Sequence, residues 1–181
     1  MKINGKFIYL KKISINDSKF IYNLRNTKRI SQFLNNPPKS LIDQKNWVKN
    51  NIKDFETLDF IIYDKSNNKK IGTIGFNNIN KKKYIAEWGR WICLGTAIQN
   101  IESAIILISF GFKQLRLKKI YSLTNSKNKK VINFHKKTGS KYLGIVKNKY
   151  VISGKKTNAT KFQFNQKNFK LFKNLFTSMI Q

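Results

Sequence analysis

The stretch AEWGRWICL, Ala86 to Leu94, runs directly into GTAIQNIESAIILISFGF, Gly95 to Phe112. Its aromatic and aliphatic content, after a basic turn through Asn80 to Lys83, predicts a strand over Tyr84 to Leu94. Alternation along that strand places Glu87, Gly89 and Trp91 on one face and Trp88, Arg90 and Ile92 on the other. Beyond Gly95 the period changes. Ile101, Ile105, Ile108, Phe112 and Leu115 fall at helical spacing, and Ala104, Leu107 and Gly111 add a second apolar stripe, so a mostly buried central helix follows.

Working outward, Leu58 to Tyr63 and Ile71 to Phe76 complete a three-stranded meander with Tyr84 to Leu94. Upstream, Phe7 to Ser14 reads as a first strand, and Asn16 or Asp17 caps a helix through Phe20, Ile21 and Leu24. Pro37-Pro38 closes that unit, and Ser40 caps a second helix with Leu41, Trp47 and Val48 on its apolar side. Downstream come a strand at Ile120 to Thr124, a helix from Asn128 to Lys137 ended by Gly139, and a strand pair at Tyr142 to Val151 and Thr157 to Phe164. Phe169, Phe172, Phe176 and Ile180, with Leu171 and Leu175 beside them, predict a C-terminal helix. The order gives an α+β domain over residues 1–165 and a helical extension of it over 166–181.

The 181 residues suit one domain, and 40% hydrophobic content with 2 prolines excludes a disordered chain. A net charge of +29 suggests nucleic acid. The detail argues otherwise: only Arg25, Arg29, Arg90 and Arg116 are arginines, and lysines are scattered beside abundant Asn and Ile, as compositional drift would leave them. No specific nucleic-acid partner is expected. Cys93 is the one cysteine, so the chain forms no internal disulfide and no cysteine-rich metal site, which fits a cytoplasmic location. The longest apolar run, Ala104 to Phe112, is too short to span a bilayer.

The element order, AEWGRWICL, FGFKQLRLKKIY and TNSKNKKVINFHKKTGS together resemble the GNAT superfamily of acyl-CoA-dependent N-acyltransferases, with coverage from about Phe7 to Phe164. The resemblance implies a central mixed, mostly antiparallel sheet whose fourth and fifth strands splay apart around acetyl-CoA. It places Trp91, Ile92, Cys93 and Leu94 beside the pantetheine arm. The diphosphate falls on Gly95 to Ile101, with Thr96, Asn100 and Ile101 as contacts and Asn128 nearby. Helix-start amides and the helix dipole favour an anion there. Of the glycines common in the family's loop, GTAIQNIES keeps Gly95.

The same resemblance puts His135, the chain's only histidine, where many members carry a tyrosine that protonates the departing thiolate. Its place one helical turn after Val131 and Ile132 also fits a hydrogen-bonded core residue. Both readings stand at this point. Glu87, one of 8 acidic residues, lies inside a strand that disfavours carboxylates, and is the candidate general base for the incoming amine, or else a salt-bridge partner of Arg90. Arg25, Asn26, Trp47, Asn77, Trp88 and Arg90 are candidate acceptor contacts, rings stacking on a sugar or base and arginine meeting a phosphate. RN...I..F in Arg25 to Phe33, IGTIGFNNI and AEWGRWI are most similar to the bacterial branch acetylating nucleotide-linked amino-deoxysugars. A protein N-terminal acetyltransferase and a catalytically inactive basic binding module are the alternatives. No metal is expected, and a homodimer is compatible with the reading.

Overall fold

A computed structural model describes residues 1–152 and 154–179. The chain runs through β1 (Lys2–Asn4), β2 (Ile8–Lys12), a 3-10 turn (Ile15–Asp17), α1 (Ser18–Asn26), α2 (Lys28–Ser31), α3 (Leu41–Lys53) and β3 (Leu58–Asp64). It continues with β4 (Lys70–Asn80), β5 (Ile85–Cys93), α4 (Ala97–Lys113), β6 (Lys119–Asn125), α5 (Lys129–Lys137), β7 (Lys141–Ile152), β8 (Lys155–Phe164) and α6 (Gln166–Met179). The eight strands form one mixed sheet in the order β1-β2-β3-β4-β5-β6-β8-β7. Every described neighbour pair is antiparallel except β5 with β6. The expected α+β architecture is therefore present, with one short strand added ahead of the first expected one. The strand expected as fourth is β5. Ile180, expected on the apolar face of α6, lies outside the described residues, as does Gln181.

Two cores position the sheet. On one face Phe60, Ile62, Ile74, Phe76 and Trp88 pack with Ala104, Leu107 and Ile108 of α4 and Phe169, Phe172 and Phe176 of α6. On the other, Ile13 and Ile61 meet Ile21 of α1 and Val48 of α3. Alternation along β3 accounts for the split, since Phe60 and Ile62 point one way and Ile61 the other. Helix starts follow sequence chemistry: Ser40 and Asp43 form a reciprocal capping box on α3, and the Asn128 side chain caps α5 by accepting from the Val131 amide at 3.3 Å. Gly139 ends α5 with a φ of +69°, in the left-handed region glycine enters freely. Glu102, buried in α4, accepts the backbone N–H groups of Lys6, Phe7 and Ile8, and so ties the entry of β2 to the central helix.

The geometry of β5 departs from simple alternation. Gly75 pairs with Gly89, yet Thr73 pairs with Ile92, so β5 spends one more residue than β4 over the same span, and Arg90 sits in the left-handed region at φ +50°. This bulge reverses the facing of everything after it. Trp88 and, beyond the bulge, Trp91 and Cys93 face the α4 core, whereas Glu87, Arg90 and Ile92 line the cavity on the α1 and α3 side. The expected grouping of Trp91 with Glu87, and of Trp88 with Arg90, is corrected accordingly: the inserted residue shifts the parity by one.

Candidate active site

Strands β5 and β6 are paired only at Ile85–Lys119, Ala86–Ile120 and Glu87–Tyr121. Past Glu87 they separate, β6 staying with β8 through Asn125. The β6-facing edge of Trp88 to Cys93 is thus an unpaired row of peptide groups, chemistry that suits an extended ligand carrying its own amides. A cavity of about 350 Å³ opens on the α1 and α3 side of this gap, and a smaller one of about 100 Å³ adjoins it. Gly89, Arg90, Leu123 and Tyr150 line both.

Glu87 lies on the wall of the larger cavity. Asn78, itself at φ +53°, donates from Nδ2 to Glu87 Oε2 at 3.1 Å, and Lys149 stands near. Burial raises the Glu87 pKa against the pull of these partners. Arg90 is ion-paired to Asp59, not to Glu87, and lies over the Trp47 ring at 5.1 Å. Asp59 is buried, and its pKa is raised to about 6 because burial outweighs Arg90. The Thr73 hydroxyl donates to the Arg90 carbonyl at 2.9 Å, so the bulge is held from both its backbone and its side chain. A Cβ on Gly75 would lie 1.8 Å from Asp59 Oδ1, which is why glycine stands there.

Of the expected acceptor contacts, Arg25, Trp47, Asn77 and Arg90 line the 350 Å³ cavity. Two do not. The Asn26 amide turns back to the Tyr22 carbonyl at 2.9 Å, and Trp88, 2% exposed, sits in the core and borders the smaller cavity instead. Glu87 is joined by residues outside the expected set: Asp59, Asn78, Lys149 and Tyr150. Asp59 carries the same sequence signal as Glu87, a carboxylate within an apolar strand. Lys149 and Tyr150 arrive through a second bulge, where Val146 pairs with Ala159 but Tyr150 with Thr157, and Asn148 adopts φ +52°. The Tyr150 hydroxyl donates to the Leu123 carbonyl at 2.5 Å, on the far side of the splay, and burial with nearby Glu87 raises its pKa.

His135 is 1% exposed and stacked on Phe162 at 4.6 Å. Its Nε2 lies 3.0 Å from Ser122 Oγ and its Nδ1 3.3 Å from Ser140 Oγ. The Ser140 hydroxyl proton goes to the His135 carbonyl at 2.8 Å, so Ser140 accepts from Nδ1–H and Nε2 accepts from Ser122. Burial lowers the imidazole pKa to about 3. The ring is neutral with both nitrogens hydrogen-bonded, and it borders the smaller cavity together with Ser122 and Asn128.

Towards the central helix, Leu94 pairs back to Ile71, and Trp91 bonds through Nε1 to Ser103 Oγ at 3.0 Å. The cavity-facing Ile92 and the half-buried Cys93, whose thiol pKa burial raises, flank the open edge. Helix α4 already begins at Ala97, so of Gly95 to Ile101 only Gly95 and Thr96 precede it. The Thr96 amide donates to Gln99 Oε1 and the Gln99 amide to Thr96 Oγ1. Asn100 is corrected as a free amide donor: its N–H bonds the Thr96 carbonyl at 2.9 Å and its side chain bonds the Gly95 and Thr96 carbonyls. Ile101 packs on the core, and Asn128 caps α5 beside the smaller cavity. Ala97 and Ile98 supply the remaining first-turn donors. The opening in front of them is walled by Lys6, Lys65, Ser66 and Asp64. Open strand edge, helix start and basic wall fit an acetyl-CoA co-substrate.

A family model described as an acetyltransferase (GNAT) domain matches residues 8–141, and the chain belongs to this family of acetyl-CoA-dependent N-acetyltransferases. No curated protein matches its sequence significantly. Among solved structures it is similar to a GCN5-related N-acetyltransferase from Brucella melitensis, with a TM-score of 0.84 and 15% identity over 98% of this chain and 84% of that one. It is also similar to apo FdhC, a nucleotide-linked sugar GNAT, with a TM-score of 0.79 and 24% identity over 98% and 97%. The spermidine N-acetyltransferase SpeG from Vibrio cholerae, in a variant form, gives 0.75 and 21% over 92% and 98%. At these identities the likenesses establish the fold.

Proposed function

We propose that this N-acetyltransferase acetylates the amino group of a nucleotide-linked amino-deoxysugar, with Glu87 as the base and Tyr150 as the proton donor. The observation that carries the roles is the placement of Glu87 and Tyr150 on one cavity at the mouth of the β5–β6 gap. Acetyl-CoA supplies an activated acyl group. Trp88 to Leu94 would border its pantetheine arm, and Gly95, Thr96 and the amides of Ala97 and Ile98 would meet its diphosphate. An amine that enters as ammonium must lose a proton before its nitrogen attacks, and Glu87, in its ionised form, takes that proton directly or through a water. The sulfur that leaves takes one back, and the Tyr150 hydroxyl, kept protonated by burial, can give it.

The sugar reading draws on FdhC as a structural neighbour and on the cavity itself. A volume of about 350 Å³ admits a sugar ring or an amino acid, leaving a nucleotide at the mouth. The Val151 amide donates to Asn35 Oδ1 at 3.1 Å, bridging the loop after α2 to β7 beside the cavity, which suits a small acceptor better than a protein N-terminus.

The test is Glu87→Gln, assayed by CoA release with nucleotide-linked amino sugars. We expect kcat to fall by about 100-fold or more with acetyl-CoA affinity retained, and the acid limb of the pH–rate profile to disappear. An unchanged profile would assign Glu87 to structure.

A further inference from the structure

The acceptor cavity has three cations and two carboxylates on its wall, and the excess positive charge has a definite address. Arg90 is ion-paired with Asp59, and Lys149 stands beside Glu87. Arg25 has no such partner: among the described residues it enters no ion pair, and its Nε is buried without a hydrogen-bond acceptor. Burial first, and then Arg90, acts against its charge, and nearby Asp59, already ion-paired with Arg90, offsets them only in part. A guanidinium partly withdrawn from water, with its Nε buried and unpaired, is costly, so its retention in a cavity wall points to an anion that arrives with a ligand. Its place in the last turn of α1 gives it the favourable end of a helix dipole. That attraction would hold equally for a side chain turned to solvent, and does not account for a buried Nε.

We propose that Arg25 binds an oxyanion, phosphate or carboxylate, carried by the acceptor itself, so that the substrate is an amine that is also an anion. The inference rests on the acetyltransferase reading of this cavity and narrows its substrate class. Arg25 offers a planar fork of donors that matches two oxygens at once. Asn35 and Asn77 add neutral polar contacts, and the Trp47 ring carries Arg90. A polyamine is the wrong ligand here. Its several ammonium groups would meet three cations, and of the two carboxylates Asp59 is ion-paired with Arg90, which leaves Glu87 alone for the one reacting nitrogen.

The experiment compares wild type, Arg25→Gln and Arg25→Lys in about 150 mM salt, where screening suppresses loose ion binding to the basic surface. Acetyl transfer is followed for glucosamine, glucosamine 6-phosphate, a nucleotide-linked amino sugar, β-alanine and spermidine. Separately, inorganic phosphate and acetate are titrated calorimetrically into all three proteins. In Arg25→Gln, kcat/KM for the anionic amines should fall by about 10- to 100-fold, with a much smaller change for glucosamine, and Arg25→Lys should recover part of the loss. One of the two free anions should bind wild type and not Arg25→Gln; phosphate alone or acetate alone identifies the source. Equal anion binding in wild type and Arg25→Gln, an equal loss for glucosamine and glucosamine 6-phosphate, or spermidine as the best acceptor each overturns the proposal. Failure of acetyl-CoA to bind would instead remove the transferase reading, and the anion titrations would still judge Arg25.

Discussion

At the scale of single residues, His135 and Tyr150 show how a proton donor is recognised. His135 is buried and Tyr150 half-buried; His135 borders the smaller cavity with both ring nitrogens on Ser122 and Ser140, whereas Tyr150 borders both cavities and its hydroxyl has one carbonyl partner. His135→Phe should therefore keep most of the turnover, and Tyr150→Phe should lose about 100-fold in kcat with acetyl-CoA affinity unchanged. Steady-state rates on one acceptor check the pair. His135 also leaves a mark on stability. Its folded pKa, about 3, lies below the 6.5 of the unfolded chain, so the unfolded state binds the extra proton between those values. The stability it contributes is complete above pH 6.5 and is lost as the pH falls towards 3. Denaturation at pH 7 and pH 4.5 should show this loss in wild type and a smaller one in His135→Phe.

At the scale of elements, the bulge in β5 gathers the acceptor cavity, because one inserted residue turns Glu87, Arg90 and Ile92 to one side and Trp91 to the other. Arg90 occupies a backbone conformation that costs a non-glycine residue about 1 kcal/mol or more. Glycine would relieve that strain. Breaking the pair with Asp59, in which Arg90 is half-buried and Asp59 buried, however, costs up to about 3–5 kcal/mol, so Arg90→Gly should be less stable overall. The penalty depends on pH with a definite sign. The Asp59 pKa is raised from 3.8 to about 6 even with its cation present, so this group's stability is present at low pH and is lost as pH rises through the folded pKa. Without Arg90 that pKa climbs further. Urea denaturation of Arg90→Gly should accordingly show a larger deficit at pH 8 than at pH 5.

At the scale of the whole molecule, 37 basic side chains face 8 acidic ones, and the acids are placed with economy. Asp17 meets Lys70 and Ser14, Asp43 caps α3, Asp64 closes the turn at Ser66, and Glu102 holds the entry of β2. Asp59 and Glu87 are the two that reach the acceptor cavity. No helix among the described residues is long and apolar enough to cross a membrane. So uneven a charge destabilises the compact state by self-repulsion and attracts anionic ligands at long range. Raising the salt from about 0.01 M to about 0.15 M shortens the Debye length from about 30 to about 8 Å. The melting temperature should rise and acetyl-CoA affinity should fall over the same interval, as scanning calorimetry and isothermal titration would record. A flat response in both would show that the lysines are too dispersed to act collectively.

The sequence by itself determined what depends on neighbours a few residues apart. Hydrophobic period separated the strands from the central helix, Ser40, Asn128 and Gly139 marked helix ends, and the rarity of carboxylates singled out Glu87 inside its strand. These features are local because periodicity and capping act within a turn of helix or a pair of pleats. Only the tertiary structure decided which way β5 faces beyond Arg90, since a bulge is a count of one strand against its partner and reverses the alternation read from either alone. It also decided that Arg90 belongs to Asp59, 31 residues earlier, that Tyr150 reaches the splay from the far hairpin, and that both ring nitrogens of His135 meet serine hydroxyls. Each of these is a contact between distant segments, fixed when the sheet closes and the core excludes water, and no spacing along the chain records it.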